Sequence, residues 1–176
     1  EKDQFVRKTT RKEVREKALL HRVARVIINN SKNEFLVQKR SLRKDVNPGL
    51  WDIGIAETTK EGDSYESTVM RGLLEELGIT GISNIQMMHS VLFKLKYFSK
   101  NHNILCKTYY LLYNGQIHLQ EEEIEEAKFL AKEEIINLIN KEDFNPVGKI
   151  IFKKYLELNP QPSNKYQTIE INENRK

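Results

Sequence analysis

Hydrophobic and polar positions follow two different rhythms along the chain. HRVARVIIN, residues 21–29, is a nearly unbroken β-branched run, the turn NNSKNE follows, and EFLVQKR, residues 34–40, resumes the pattern, so residues 22–40 read as a hairpin. SLRKDVNPGLWD is an irregular connector with its turn at Pro48-Gly49, and DIGIAET reads as a short strand. From about Asp63 to Leu77 the rhythm becomes helical. Val69, Met70, Leu73, Leu74 and Leu77 fall on one face, and Thr68, Arg71, Gly72, Glu75 and Glu76 on the other. Asp63 with Glu66 three residues on resembles a capping box, and Gly78 is placed to end the helix.

Beyond the helix, ISNIQMMHSVLFKLKYFS and NILCKTYYLLYNGQIHL are rich in aromatic and aliphatic residues and predict two to four strands. EEAKFLAKEEIINLIN predicts a strand passing to a helix at about Lys132, and FNPVGKIIFKKYLEL a loop and a final helix. In RKEVREKALL, residues 11–20, Val14, Ala18 and Leu19 stand at helical spacing. The expected organisation is a basic, helical extension over residues 1–20, one domain over 21–158 and a polar, loosely attached tail over 159–176. No internal repeat is apparent.

Composition narrows the classes. With 176 residues, 39% apolar and 31% charged, the chain suits a single soluble core, and no apolar run reaches the length of a membrane span. The formal charge of +4, from 29 basic and 25 acidic residues, favours anionic ligands but does not by itself argue for nucleic acid, so neither a membrane nor a nucleic-acid partner is expected. The basic residues crowd into the first 25 positions, as a solvated surface or as a phosphate-facing one. Cys106 is the only cysteine, which excludes an intramolecular disulfide and suggests a reducing intracellular compartment such as the cytoplasm.

The candidate chemistry lies in RGLLEELG, residues 71–78. Arg71 and Glu75 are four apart and can pair along the helix, while Glu76 lies about 100° round the axis. Adjacent carboxylates repel unless a hard cation sits between them and a substrate phosphate; without one, the pair is an ordinary solvated helix face. The wider spacing decides between these. GDSYESTVMRGLLEELGI resembles the Nudix box, which reads Gly, five residues, Glu, seven residues, Arg-Glu, apolar, any, Glu-Glu, any, Gly, apolar. Arg71, Leu73, Glu75, Glu76, Gly78 and Ile79 match, and Asp63 conservatively replaces the first Glu. Two positions depart: Glu57 stands for the opening Gly, and Gly72 for the Glu of Arg-Glu. With HRVARVIINNSKNEFLVQKRSLRKDVNPGLWDIGIAE and IHLQEEEIEEAKFLAKEEI, the resemblance extends over residues 5–156, to the Nudix branch similar to isopentenyl-diphosphate isomerase.

The resemblance implies an α/β fold, an α/β/α sandwich around a curved mixed sheet, and hydrolysis of a nucleoside diphosphate derivative or related organic diphosphate with Mg²⁺ or Mn²⁺. It implies Glu75 and Glu76 as metal ligands, Glu76 also in catalysis, and Arg71 as the residue orienting the box carboxylates. Gly72 supplies no oxygen, so another acid is sought, and Glu123 in the run Glu121–Glu122–Glu123 is the preferred candidate; a solvated acidic turn is its alternative. The Glu57 side chain is expected to crowd a metal-binding loop. Lys39 and Arg40 are candidates for phosphate contact or plain strand-end charges, and Trp51 for stacking on substrate or for packing at the sheet edge. DIGIAETT has neither Cys nor His, which counts against isomerase chemistry. The rival to a hydrolase is an inactive Nudix module binding a ligand or protein partner. The oligomeric state is open, a homodimer among the alternatives.

Overall fold

A computed structural model of the protein describes residues 3–82, 93–99, 102–158 and 167–170. The strands are β1 (His21–Asn29), β2 (Phe35–Arg40), β3 (Trp51–Ile53), β4 (Ile55–Thr58), β5 (Phe93–Ser99), β6 (His102–Leu112), β7 (Ile124–Leu130) and β8 (Gln167–Glu170). The helices are α1 (Arg11–Glu16), α2 (Tyr65–Leu77), α3 (Lys132–Lys141) and α4 (Pro146–Leu158). The strands form one mixed sheet in the order β3-β2-β1-β6-β5-β8, with β4 added to β1 and β7 to β2.

β1 is the axis of the sheet. It runs parallel to β6 over its full length, and its first half pairs antiparallel with β4, Val23 to Val26 against Thr58 to Ile55. The expected hairpin is real only at its tip, where Asn29 meets Phe35; below that the strands diverge to take other partners. DIGIAET is two strands rather than one. Gly54, at φ 59°, breaks it, so that β3 joins β2 while β4 joins β1. A Cβ at Gly54 would lie 1.9 Å from the Val26 carbonyl oxygen, which is why the crossing needs glycine.

Side chains of β1 alternate between two cores. Val23 and Ile27 pack with Ile135 of α3 and Val147, Ile151 and Phe152 of α4, whereas Ala24, Val26 and Ile28 pack with Val69, Leu73 and Leu77 of α2. The result is the expected α/β/α sandwich. α3 and α4 begin where their patterns predict, α4 with Pro146 in its first turn. α1 is shorter than its sequence pattern, ending at Glu16 under a Thr10 cap. The segment expected as a polar, loosely attached tail contributes β8, paired parallel to β5. Any strand within residues 83–92 lies outside the described residues. Among those described, no helix is long and apolar enough to cross a membrane.

Cys106 lies on β6 opposite Val23, fully buried, and burial pushes its thiol up to about 11. An aromatic disulfide reagent at about pH 8 is expected to leave the folded protein unlabelled and to titrate one thiol after denaturation. Labelling of the native protein at the unfolded rate would contradict this placement.

Candidate active site

α2 starts one residue later than the capping-box pattern suggests. Ser64 caps it, accepting the Ser67 amide at 3.0 Å, and Asp63 is left free to pair elsewhere; Gly78, in the left-handed region, ends the helix as expected. The helix faces are also redistributed. Leu74 is exposed, while Thr68, Gly72 and Glu76, expected on the polar side, are buried. These three are spaced i, i+4, i+8 and form one row along the helix.

β4 covers that row. Glu57 pairs with Ala24 and Ile55 with Val26, so Ile55 and Glu57 share the face that carries α2. A Cβ at residue 72 would lie 3.2 Å from Ile55 Cδ1 and 3.4 Å from Glu57 Cβ. The glycine therefore has a packing reason: it lets the strand approach the helix closely, against a helix-propensity cost of about 1 kcal/mol relative to Ala. Glu57 does not crowd a loop, as the sequence suggested, because it belongs to a paired strand and its side chain lies over Gly72.

Arg71 gathers the surrounding acids. Its Nη1 donates to Glu57 Oε1 at 3.1 Å and stands 3.8 Å from Glu75 Oε2, and its Nη2 donates to Asp63 Oδ2 at 3.2 Å and to the Thr58 carbonyl at 3.3 Å. Glu76 differs from all of these. It is 6% exposed, and among the described residues its carboxylate takes part in no hydrogen bond or ion pair. Burial pushes it up to about 7; Glu57 adds to the rise, and Lys44 opposes it.

The cleft above these groups has a volume of about 1270 Å³. Glu123 lines it and forms an ion pair with Lys44 of the connector, which starts beside it where the Ser41 amide donates to the Glu123 carbonyl at 3.0 Å. Arg40 also lines the cleft, its guanidinium donating to the Val46 and Asn47 carbonyls at 2.9–3.2 Å and so holding the connector in place. Residues 3–20 form a further wall. Asp3 pairs with Arg22 at 2.7 Å, Lys8 with Glu61 at 2.7 Å, and Arg15 with Asp45, so the basic extension is docked beside the site.

Two expected contacts do not reach the cleft. Trp51 is buried in the core on β3 with Lys128 Nζ 4.3 Å from its ring centre, which corrects its reading as a stacking platform. Lys39 points to Glu125, 3.3 Å away, and lines no part of the cavity. A feature the sequence reading missed is the buried pair at the cleft floor. Arg25 Nη1 and Nη2 donate to both Asp52 oxygens at 2.6 and 2.9 Å, and Asn145 and the Ile53 amide donate to the same carboxylate. Its signal was an arginine inside an otherwise apolar strand. Lys44 was also missed, and Glu57 was read only as a crowding side chain, although Glu57 and Gly72 depart from the box pattern in opposite senses.

The comparisons place this architecture. A family profile described as NUDIX domain matches residues 19–154. The chain belongs to the Nudix family. A Nudix hydrolase of Pseudomonas aeruginosa, itself described as uncharacterized, is 32% identical over 133 residues, covering 76% of each chain; one of Listeria monocytogenes is 31% identical over 128 residues, 72% of this chain and 73% of that one. The MutT protein of Methanosarcina mazei shares the Nudix fold with a TM-score of 0.66 at 20% identity, over 81% of this chain and 96% of the other. The Nudix domain of Shewanella oneidensis NrtR, solved in complex with ADP ribose, does so with 0.62 at 14%, over 86% and 100%. Within this Nudix domain α2 presents Glu75 and Glu76 to the cleft.

The donor set suits a hard divalent ion: carboxylate oxygens at Glu57, Glu75 and Glu76, the last largely buried and without a partner among the described residues. Among the described residues no three such side chains converge as they stand, because Glu57 and Glu75 turn towards Arg71.

Proposed function

We propose that the protein is a divalent-metal-dependent hydrolase of a nucleoside diphosphate derivative or related organic diphosphate, using Mg²⁺ or Mn²⁺. The observation that carries this reading is Glu76, a carboxylate only 6% exposed that has no hydrogen-bond or ion-pair partner among the described residues and faces a large cleft that basic side chains also line. A carboxylate held mostly out of water is costly to ionise, and a bound cation is the natural means of offsetting that cost. Glu75 and Glu76 would hold the ion, and Arg71 fixes the acids around it. When bound, the ion would neutralise a diphosphate and lower the proton affinity of water. Arg40 and the basic extension contribute positive charge to the walls against which the diphosphate would lie, while Lys44 holds Glu123 at the rim. Isomerase chemistry finds no support at Cys106, whose thiol is buried and stays protonated.

ADP ribose, bound by the Shewanella neighbour, heads a panel that adds dinucleoside polyphosphates and isopentenyl diphosphate. The expected result is turnover of at least one compound with Mn²⁺ or Mg²⁺, abolished by chelator. Silence on the whole panel by folded protein, with a compound still bound, would replace the hydrolase reading with that of an inactive binding module.

A further inference from the structure

Two facts about α2 belong together. Glu76 is 6% exposed and its carboxylate has no hydrogen-bond or ion-pair partner among the described residues, and one turn before it the helix carries a glycine with no side chain to offer the site. The space over that glycine is not empty. Glu57 Cβ and Cγ lie 3.4 and 3.9 Å from where a residue-72 Cβ would stand, so the strand sends its side chain into the place where a helix side chain would begin. Glu57 and Glu76 both line the cleft. Around Arg71 there are then three carboxylates, Glu57, Asp63 and Glu75, for one guanidinium, with Glu76 further along the helix. That surplus of acid leaves room for a second positive charge.

We propose that Glu57 is an oxygen ligand to the same cation as Glu76, its carboxylate supplied from β4 in place of one that α2 lacks at Gly72. The assignment rests on the reading of this site as one for a divalent ion. It makes the two departures from the box a single exchange: the acid has moved from helix to strand, and the glycine from strand to helix. Glu57 pairs with Ala24 in the middle of the β1–β4 ladder, so its backbone is fixed, and only the side-chain torsions need change for the carboxylate to leave Arg71 for an ion. Arg71 would keep Asp63, Glu75 and the Thr58 carbonyl as partners.

The alternative, that Glu57 serves only to hold Arg71, is separated by Glu57→Gln, because a glutamine oxygen still accepts the guanidinium hydrogen bond while binding a hard cation poorly. Mn²⁺ alone is titrated into the full chain, with free ion followed by electron paramagnetic resonance, for the wild type, Glu57→Gln, Glu57→Gly and the exchange Glu57→Gly with Gly72→Glu. Glu57→Gln and Glu57→Gly are expected to weaken Mn²⁺ binding by more than about tenfold, and the exchange to recover most of it relative to Glu57→Gly. Wild-type affinity in Glu57→Gln overturns the assignment, whether or not the exchange variant folds. A wild type that binds no Mn²⁺ at millimolar concentration instead removes the cation site itself, while a binding wild type with an unaffected Gln variant removes only Glu57.

Discussion

Glu76→Gln is expected to lower kcat/KM for diphosphate hydrolysis by about 10²- to 10³-fold, the loss of about 3–4 kcal/mol of charge stabilisation in the transition state. The same substitution is expected to stabilise the metal-free protein. The unfolded carboxyl ionises near its ordinary 4.5, whereas the folded one holds its proton up to about 7. Between those values folding takes up a proton, so wild-type stability falls as pH rises, and above about 7 the whole penalty, up to about 3 kcal/mol, is present. The Gln variant lacks this decline. Urea unfolding in chelator at several pH values, beside steady-state kinetics with metal, measures both effects. A Gln variant that is fully active, or that follows the wild-type slope between pH about 4.5 and 7, would remove Glu76 from the role assigned to it.

Asp52→Ala is expected to cost about 3–5 kcal/mol, because it leaves the Arg25 guanidinium buried without its carboxylate. The side chain also accepts from Asn145 Nδ2 at 2.9 Å and from the Ile53 amide at 2.8 Å, so its removal leaves those donors unsatisfied too. For a chain of this length the melting temperature should fall by roughly 6–20 °C. The double change Arg25→Met with Asp52→Leu is expected to cost less than Asp52→Ala alone, since it removes both charges together. Equal losses in the single and double variants, measured by chemical denaturation, would show that packing around the pair matters more than its charge.

Much of this architecture is legible in the chain. The apolar run of β1, the spacing from Asp63 to Ile79 and the strand-to-helix change near Lys132 each correspond to an observed element. The site is legible only in part. Helical periodicity assigns Gly72 and Glu76 to the polar face, and it has no means of knowing that β4 comes down on that side. Close approach of strand and helix depends on Gly72 having no side chain, which a two-letter apolar pattern records merely as polar. Lys44 sits in an aperiodic connector whose path is set by tertiary contacts such as Arg40 to Val46, so no local rule brings it to Glu123. Trp51 is a position that the pattern leaves open. A lone aromatic beside a turn is open to stacking on substrate or to packing, and from the edge strand β3 it turns into the core with Val37, Ile53 and Phe144.

β1 is apolar towards both layers, so sliding it by one residue would exchange one set of aliphatic side chains for another. Arg25 makes the slide conspicuous, as does Asn29 at the end of the strand. Moved to the other face, its guanidinium would sit among Val69 and Leu73 with its carboxylate left behind on the far side of the sheet. The buried pair thus acts as an alignment key for the central strand. Through the pairing of Ala24 with Glu57, it also sets the position at which an acid meets Gly72.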